Sequence, residues 1–160
     1  MARYEKYAQI LSDLGYDVTP LNGKVPILKG WQDRPDTALD FKKHKNSNIG
    51  VVTGGKHNII AVDIDVSHVG AVAIIKTLSE DLLGSAPERI GNAPKTLFVY
   101  RCSEPFKKSK TAIYDIVGQD SCVEVLAEGQ QFCASGWHEQ AQKNYSWPND
   151  NLLEIPPSEL

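Results

Sequence analysis

Residues 58–66, Asn58-Ile-Ile-Ala-Val-Asp-Ile-Asp-Val66, limit what this chain can fold into more than any other stretch. Ile59, Ile60, Ala61, Val62, Ile64 and Val66 read as a strand buried on at least one face. Side chains alternate faces along a strand, so Asp63 and Asp65 point the same way, roughly 7 Å apart along the backbone. Two neighbouring carboxylates on a buried strand repel each other and lose hydration, a cost that a cation between them offsets. Oxygen donors of this kind suit Mg²⁺ or Mn²⁺. The plainer alternative, strand-end aspartates capping the next helix, sits badly with the depletion of Asp inside strands.

A chain of 160 residues is long enough for one domain with a real core. Hydrophobic and charged fractions of 41% and 23% match a soluble globular protein rather than a disordered or membrane-embedded one. A net charge of −3 gives no global signal for nucleic acid, so such contact must come from local basic groups. Two exist, Lys42-Lys43-His44-Lys45 and Lys107-Lys108-Ser109-Lys110, and each alone reads as a solvated loop. Cys102, Cys122 and Cys133 show no C-x-x-C spacing, which fits buried thiols in a reducing compartment. There is no signal-peptide pattern and no apolar run of membrane-spanning length. A cytoplasmic protein with no membrane partner is expected. Residues 1–150 are expected to form the domain, and 151–160, with Ile155-Pro-Pro-Ser158, a linker.

Tyr4, Tyr7, Leu11 and Leu14 fall at helical spacing, and Gly15 ends that helix. Residues 16–21 read as a strand, followed by an Asn22-Gly23 turn. The segment after it carries Lys24 and Lys29, which can meet an anion, and Trp31. A short helix is expected around Leu39 and Phe41. Residues 48–54 form a strand into a glycine turn. Gly50 to Lys56 match part of a phosphate-binding P-loop, but His57 replaces the required Ser or Thr, and a strand follows where a helix is needed. A hairpin turning at Gly54-Gly55 is the better reading. Ser67 is placed as an N-cap for a helix whose apolar face is Ala71, Ile74, Ile75, Leu78 and Leu82, ending at Gly84. Strands follow at 95–101 and 112–117. A second hairpin spans 123–134 around Gly129. The order implies an α+β fold with a mixed, mostly antiparallel sheet.

Glu124 lies between Val123 and Val125 and faces away from both, an ordinary arrangement on a solvent-facing strand. Beside Asp63 and Asp65 it becomes a third oxygen ligand. Three such carboxylates hold two divalent ions about 4 Å apart in phosphoryl or nucleotidyl transfer. Arg89, Lys95 and Arg101 flank the neighbouring strand and can neutralise a triphosphate. His138 follows a glycine and Trp137, where it reaches a phosphate or a base, or is simply a surface histidine.

An ordered set of segments then resembles a known family: Gly-Lys-Val-Pro-Ile-Leu-Lys-Gly-Trp at 23–31, Asn-Ile-Gly-Val-Val-Thr-Gly at 48–54, Val-Asp-Ile-Asp at 62–65, Val-Glu-Val-Leu-Ala-Glu-Gly-Gln-Gln-Phe at 123–132, Ser-Gly-Trp-His at 135–138 and Tyr-Ser-Trp at 145–147. The series resembles the bifunctional primase–polymerase domain of the archaeo-eukaryotic primase superfamily, found at the N-terminus of phage and plasmid replication proteins. The resemblance implies an RRM-like catalytic sheet beside a small second α/β lobe. It implies template-directed nucleotidyl transfer from NTPs or dNTPs on a DNA template and primer, in a bacterial host, with a helicase as the expected C-terminal neighbour. Asp63 and Asp65 match the family's metal-binding D-x-D, Glu124 its third acid (more often Asp) and His138 a histidine after that acid. The basic residues Lys24, Lys29, Lys107 and Lys108 would follow nucleic-acid phosphates.

One departure stands out. Many members carry a serine-x-histidine element for the incoming phosphates, and residues 89–101 here hold no histidine. Either Lys95 and the arginines replace it, or nucleotide binding is weakened. A third option makes Ser135-Gly-Trp-His138 that element, leaving Asp150 or Glu154 as the third acid. The rival functions are a metal-dependent nuclease or phosphohydrolase using the same carboxylates, and a non-catalytic single-strand-binding module.

Overall fold

The computed structural model describes residues 3–33 and 42–160; the helix expected around Leu39 and Phe41 lies outside them. The fold is α+β, with two α-helices among the described residues and mostly antiparallel strands. Helix α1 (Arg3–Leu14) ends at Gly15, whose φ of 106° suits glycine. Strands β1 (Val18–Asn22), β2 (Val25–Pro26), β3 (Asn48–Val52) and β10 (Gln131–Ser135) form a four-stranded sheet in the order β10-β3-β1-β2. The larger sheet is ordered β5-β6-β4-β9-β7, built from β4 (Ile59–Asp65), β5 (Glu88–Ile90), β6 (Thr96–Arg101), β7 (Ser109–Lys110) and β9 (Asp120–Leu126); β8 (Tyr114–Asp115) also pairs with β9. A small ribbon joins β11 (Trp137–His138) to β12 (Lys143–Asn144).

The two expected hairpins are corrected by this topology. Strand β3 pairs with β1 and β10, and β4 with β6 and β9, so each already has partners along both edges and neither is free for the other. A single bridge, Gly54 to Ile59, closes the turn between them. Likewise β9 stays in the large sheet while β10 crosses to the small one. The two chain segments therefore run as one bent antiparallel ribbon, β3–β4 against β9–β10. The bend is fastened where the Thr53 hydroxyl donates to the Ala127 carbonyl and the Thr53 amide to Gln130 O at 2.9 Å. At Gly54 a Cβ would lie 2.7 Å from the Glu128 Cα, so only glycine lets the two backbones pass this closely. The glycine turn leads through a short 3₁₀ turn into β4, not into a helix, and no P-loop forms.

The faces of β4 divide the interior. Ile60, Val62 and Ile64 join Val72, Phe98 and Tyr100 under α2 (Val69–Leu83). Ile59 and Ala61 join Leu97, Val99, Ala8, Leu11, Val18, Ile49, Val51 and Phe132 in the core between the sheets. Burying a side chain such as Ile64 or Leu97 contributes about 1.5–3 kcal/mol. His68, not Ser67, caps α2, its Nδ1 accepting the Ala71 amide at 3.1 Å. Of the expected apolar face, Ala71 and Ile75 pack against this core. Val72 and Ser79 are buried, whereas Ile74, Leu78 and Leu82 are exposed. Lys76 lies on the sheet side, where it binds Glu88 at 2.7 Å and lies over the Phe98 ring.

Residues 151–160 carry Leu152 into the core between the sheets, and the Tyr16 hydroxyl donates to the Ile155 carbonyl at 2.8 Å. Among the described residues, no helix is long and apolar enough to cross a membrane.

Candidate active site

The carboxylates of β4 lie on the face that points toward the small sheet. Ile59 and Ala61 use that face for core; two and four residues further on, it carries Asp63 and Asp65. Glu124 is the register partner of Asp63 on β9, so the two share a face. Leu97 is the partner of Asp63 on β6, and Arg89 the partner of Leu97 on β5. One row across the sheet thus reads Glu124, Asp63, Leu97, Arg89.

Above this row opens a depression of about 280 Å³, lined chiefly by Asp63, Asp65, Arg89, Lys95, Lys24 and His138. Lys24 comes from the β1–β2 turn of the small sheet and His138 from β11, so both sheets furnish its walls. Gly91, Asn92, Thr96 and Gln140 complete the lining. These four are functional candidates that sequence reasoning missed. Gly91 carried the one usable signal, a glycine in the Arg89-Ile-Gly-Asn turn. A Cβ there would lie 2.5 Å from the Tyr145 ring and 2.7 Å from the His138 ring.

Each acid rests on a cation. Asp65 meets Lys95 at 2.6 Å, Glu124 meets Lys110 at 2.8 Å, and Asp63 lies 3.9 Å from Arg89. Turned onto these partners, no three acidic, histidine or cysteine side chains converge as a ready metal site among the described residues. Lost hydration raises the Asp63 carboxyl above its ordinary range. Arg89 opposes the rise, Asp65 adds to it, and Lys24 and Glu124 act more weakly with opposite signs. Asp63 is therefore a dehydrated carboxylate whose cationic neighbours offset the lost hydration only in part.

The Arg89 guanidinium is buried, stacks over the Tyr145 ring at 4.8 Å, and leaves its Nε without a hydrogen-bond partner. His138 is buried edge-on to the same ring, at 5.2 Å. Its Nδ1 accepts the Ala141 amide at 3.2 Å, so the neutral ring carries its proton on Nε2. Burial lowers its pKa first, with Lys24 and Arg89 acting in the same direction.

The structure brings together Asp63, Asp65, Arg89, Lys95, His138 and Lys24, with Glu124 at the edge. It separates Arg101 from them. That residue lies opposite Ile59 at the other end of β6, five residues from Thr96 and so roughly 17 Å along the strand. Lys29, Lys107 and Lys108 are exposed outside the depression, and so are Asp150 and Glu154. Lys24, expected on nucleic acid, sits instead beside the phosphate-binding candidates. Three basic side chains and a buried histidine surround two carboxylates here, so the depression presents charges of both signs.

The family model for the N-terminal domain of bifunctional DNA primase/polymerases matches residues 8–160, and the chain belongs to that family. No curated protein matches it.

Proposed function

We propose that this primase/polymerase domain performs the nucleotidyl transfer itself, extending a strand from NTPs or dNTPs under direction of a DNA template. The observation that carries this reading is the placement of Asp63, Asp65 and Glu124 on one sheet face beside the cationic depression. The donors fit hard divalent ions: all three are carboxylates, and the lost hydration of Asp63 is offset only in part by Arg89 and Lys24. Asp63 and Asp65 would hold a pair of Mg²⁺ or Mn²⁺ ions, and Glu124 joins them on exchanging Lys110. Such ions, when bound, lower the pKa of the attacking hydroxyl and neutralise charge on the departing pyrophosphate.

The chain's own groups do the rest. Arg89 and Lys95 grip the phosphates through charge-assisted hydrogen bonds, Lys95 giving up Asp65 to do so. The orphaned Nε–H of Arg89 finds its acceptor there. Lys24 approaches from the small sheet, and neutral His138 donates from Nε2. This set takes the role of the missing serine-x-histidine element. Lys29, Lys107 and Lys108 follow template phosphates outside the pocket. A helicase is the partner expected in a longer replication protein.

The test is extension of a labelled primer on a template with Mg²⁺ or Mn²⁺ and dNTPs. Strand growth is expected, and Asp63→Ala or Asp65→Ala should abolish it without changing the circular-dichroism spectrum. Full extension by either variant overturns the assignment, and shortening of the primer without dNTPs makes the domain a nuclease.

A further inference from the structure

A second depression, about 240 Å³, adjoins the first and shares Lys24, His138 and Gln140 with it. Its remaining walls are Gly23, Trp137, Glu139 and Tyr145, so the charged row gives way to aromatic carbon. We infer that this second depression holds the base of the incoming nucleotide, with the Trp137 indole as its stacking platform. The inference rests on the nucleotide reading of the first depression.

Exposure and rigidity together single out Trp137. Trp147 packs against the core and donates its Nε1–H to the Ala134 carbonyl at 3.0 Å, a structural role. Trp137 is 42% exposed, yet its backbone is held on both sides. Its amide donates to Asn48 Oδ1 at 2.8 Å, and its carbonyl accepts from Asn48 Nδ2 at 2.8 Å. The same amide nitrogen of buried Asn48 also donates to the Gly23 carbonyl at 2.9 Å. One side chain therefore fixes two walls of the depression relative to each other. Gly136 has a φ of 131°, and a Cβ on it would collide with that Asn48 side chain. The clamp thus requires glycine just before the tryptophan. A large apolar ring left in water on a clamped backbone is costly as packing but pre-organised as a platform. Every base offers a π-face, so stacking suits an enzyme that must accept all four. Trp137 is exposed while its neighbour His138 is buried and borders both depressions, so the two meet at this ribbon.

The experiment is calorimetric titration of the protein, without DNA, with dATP and with inorganic tripolyphosphate, both in Mg²⁺. Trp137→Ala should weaken dATP about tenfold while leaving tripolyphosphate unchanged, and Trp137→Phe should restore most of the loss. Unchanged dATP binding by Trp137→Ala overturns the platform. So does an equal loss for both ligands, which would put Trp137 at the phosphate end. Should neither dATP nor tripolyphosphate bind the wild-type protein, the nucleotide reading itself fails, and the platform with it.

Discussion

Glu88 and Arg89 are neighbours on β5 and point to opposite faces of the same sheet. Glu88 looks toward α2, where it is buried and fully matched, by Lys76 at 2.7 Å and by the Thr96 hydroxyl at 2.7 Å. Arg89 looks toward the depression, with its acid 3.9 Å away and its Nε unmatched. The two sites hold similar groups, and only one is complete. A buried polar group without a partner costs free energy, and at Arg89 that cost falls on the wall of the depression. Asp63 and Asp65 repeat the lesson: one carries lost hydration that Arg89 offsets only in part, the other is held by a partly exposed lysine.

Four experiments would break or sharpen that contrast. The largest effect is expected from Asp63→Asn, which keeps the shape and removes the charge. Primer extension should fall by at least about 10²–10³-fold, while the unfolding midpoint stays the same or rises. A large stability loss would make Asp63 a structural residue like Glu88. The reverse is expected of Glu88→Ala. It removes the partner of Lys76 and leaves the Thr96 hydroxyl only its longer bond to the Arg89 carbonyl, at 3.3 Å, and should lower unfolding free energy by about 1–3 kcal/mol in urea titration, with extension by the folded protein near wild type. Lys110→Met removes the cation competing for Glu124. Mn²⁺ should then bind a few-fold more tightly, read as loss of the free-ion paramagnetic resonance signal; weaker binding would place Glu124 outside the metal set. The smallest effect concerns His138. Its imidazole should titrate by NMR below the ordinary 6.5, leaving it neutral at pH 7. The fold favours the neutral ring, so its contribution to stability is present above pH 6.5 and is lost as pH falls toward the lower folded-state value.

The alternation of β4 made most of this site legible in the sequence. Period two placed Asp63 and Asp65 together, and the apolar flanks of Glu124 placed it on a matching face. Pairing partners were not legible. The segments around Gly54 and Gly129 carry hairpin signals, because a bend between sheets uses the same glycines as a turn within one. The exposed stripe of α2 misled for a related reason. Apolar spacing named Ile74, Leu78 and Leu82 along with Ala71 and Ile75, whereas the helix turns only Ala71 and Ile75 of these toward the core, with Val72 and Lys76 on the same side. Arg101 looked equivalent to Lys95 because both end one strand, and sequence does not say which end of a strand approaches the acids. Lys110 belonged to a basic run that read as a loop, and only strand pairing puts it opposite Glu124.

The bent ribbon also sets what changes of length this chain tolerates. Residues 53–58 and 127–130 hand each strand from one sheet to the other while Thr53 and Gly54 hold the crossings together. An added or deleted residue that slid β4 by one position would turn Asp63 and Asp65 into the layer beneath α2 and bring Val62 and Ile64 out into the depression. The exposed connection at 103–108 has no such parity to keep. Homologous chains should therefore differ freely in length there and keep the two crossings the same size.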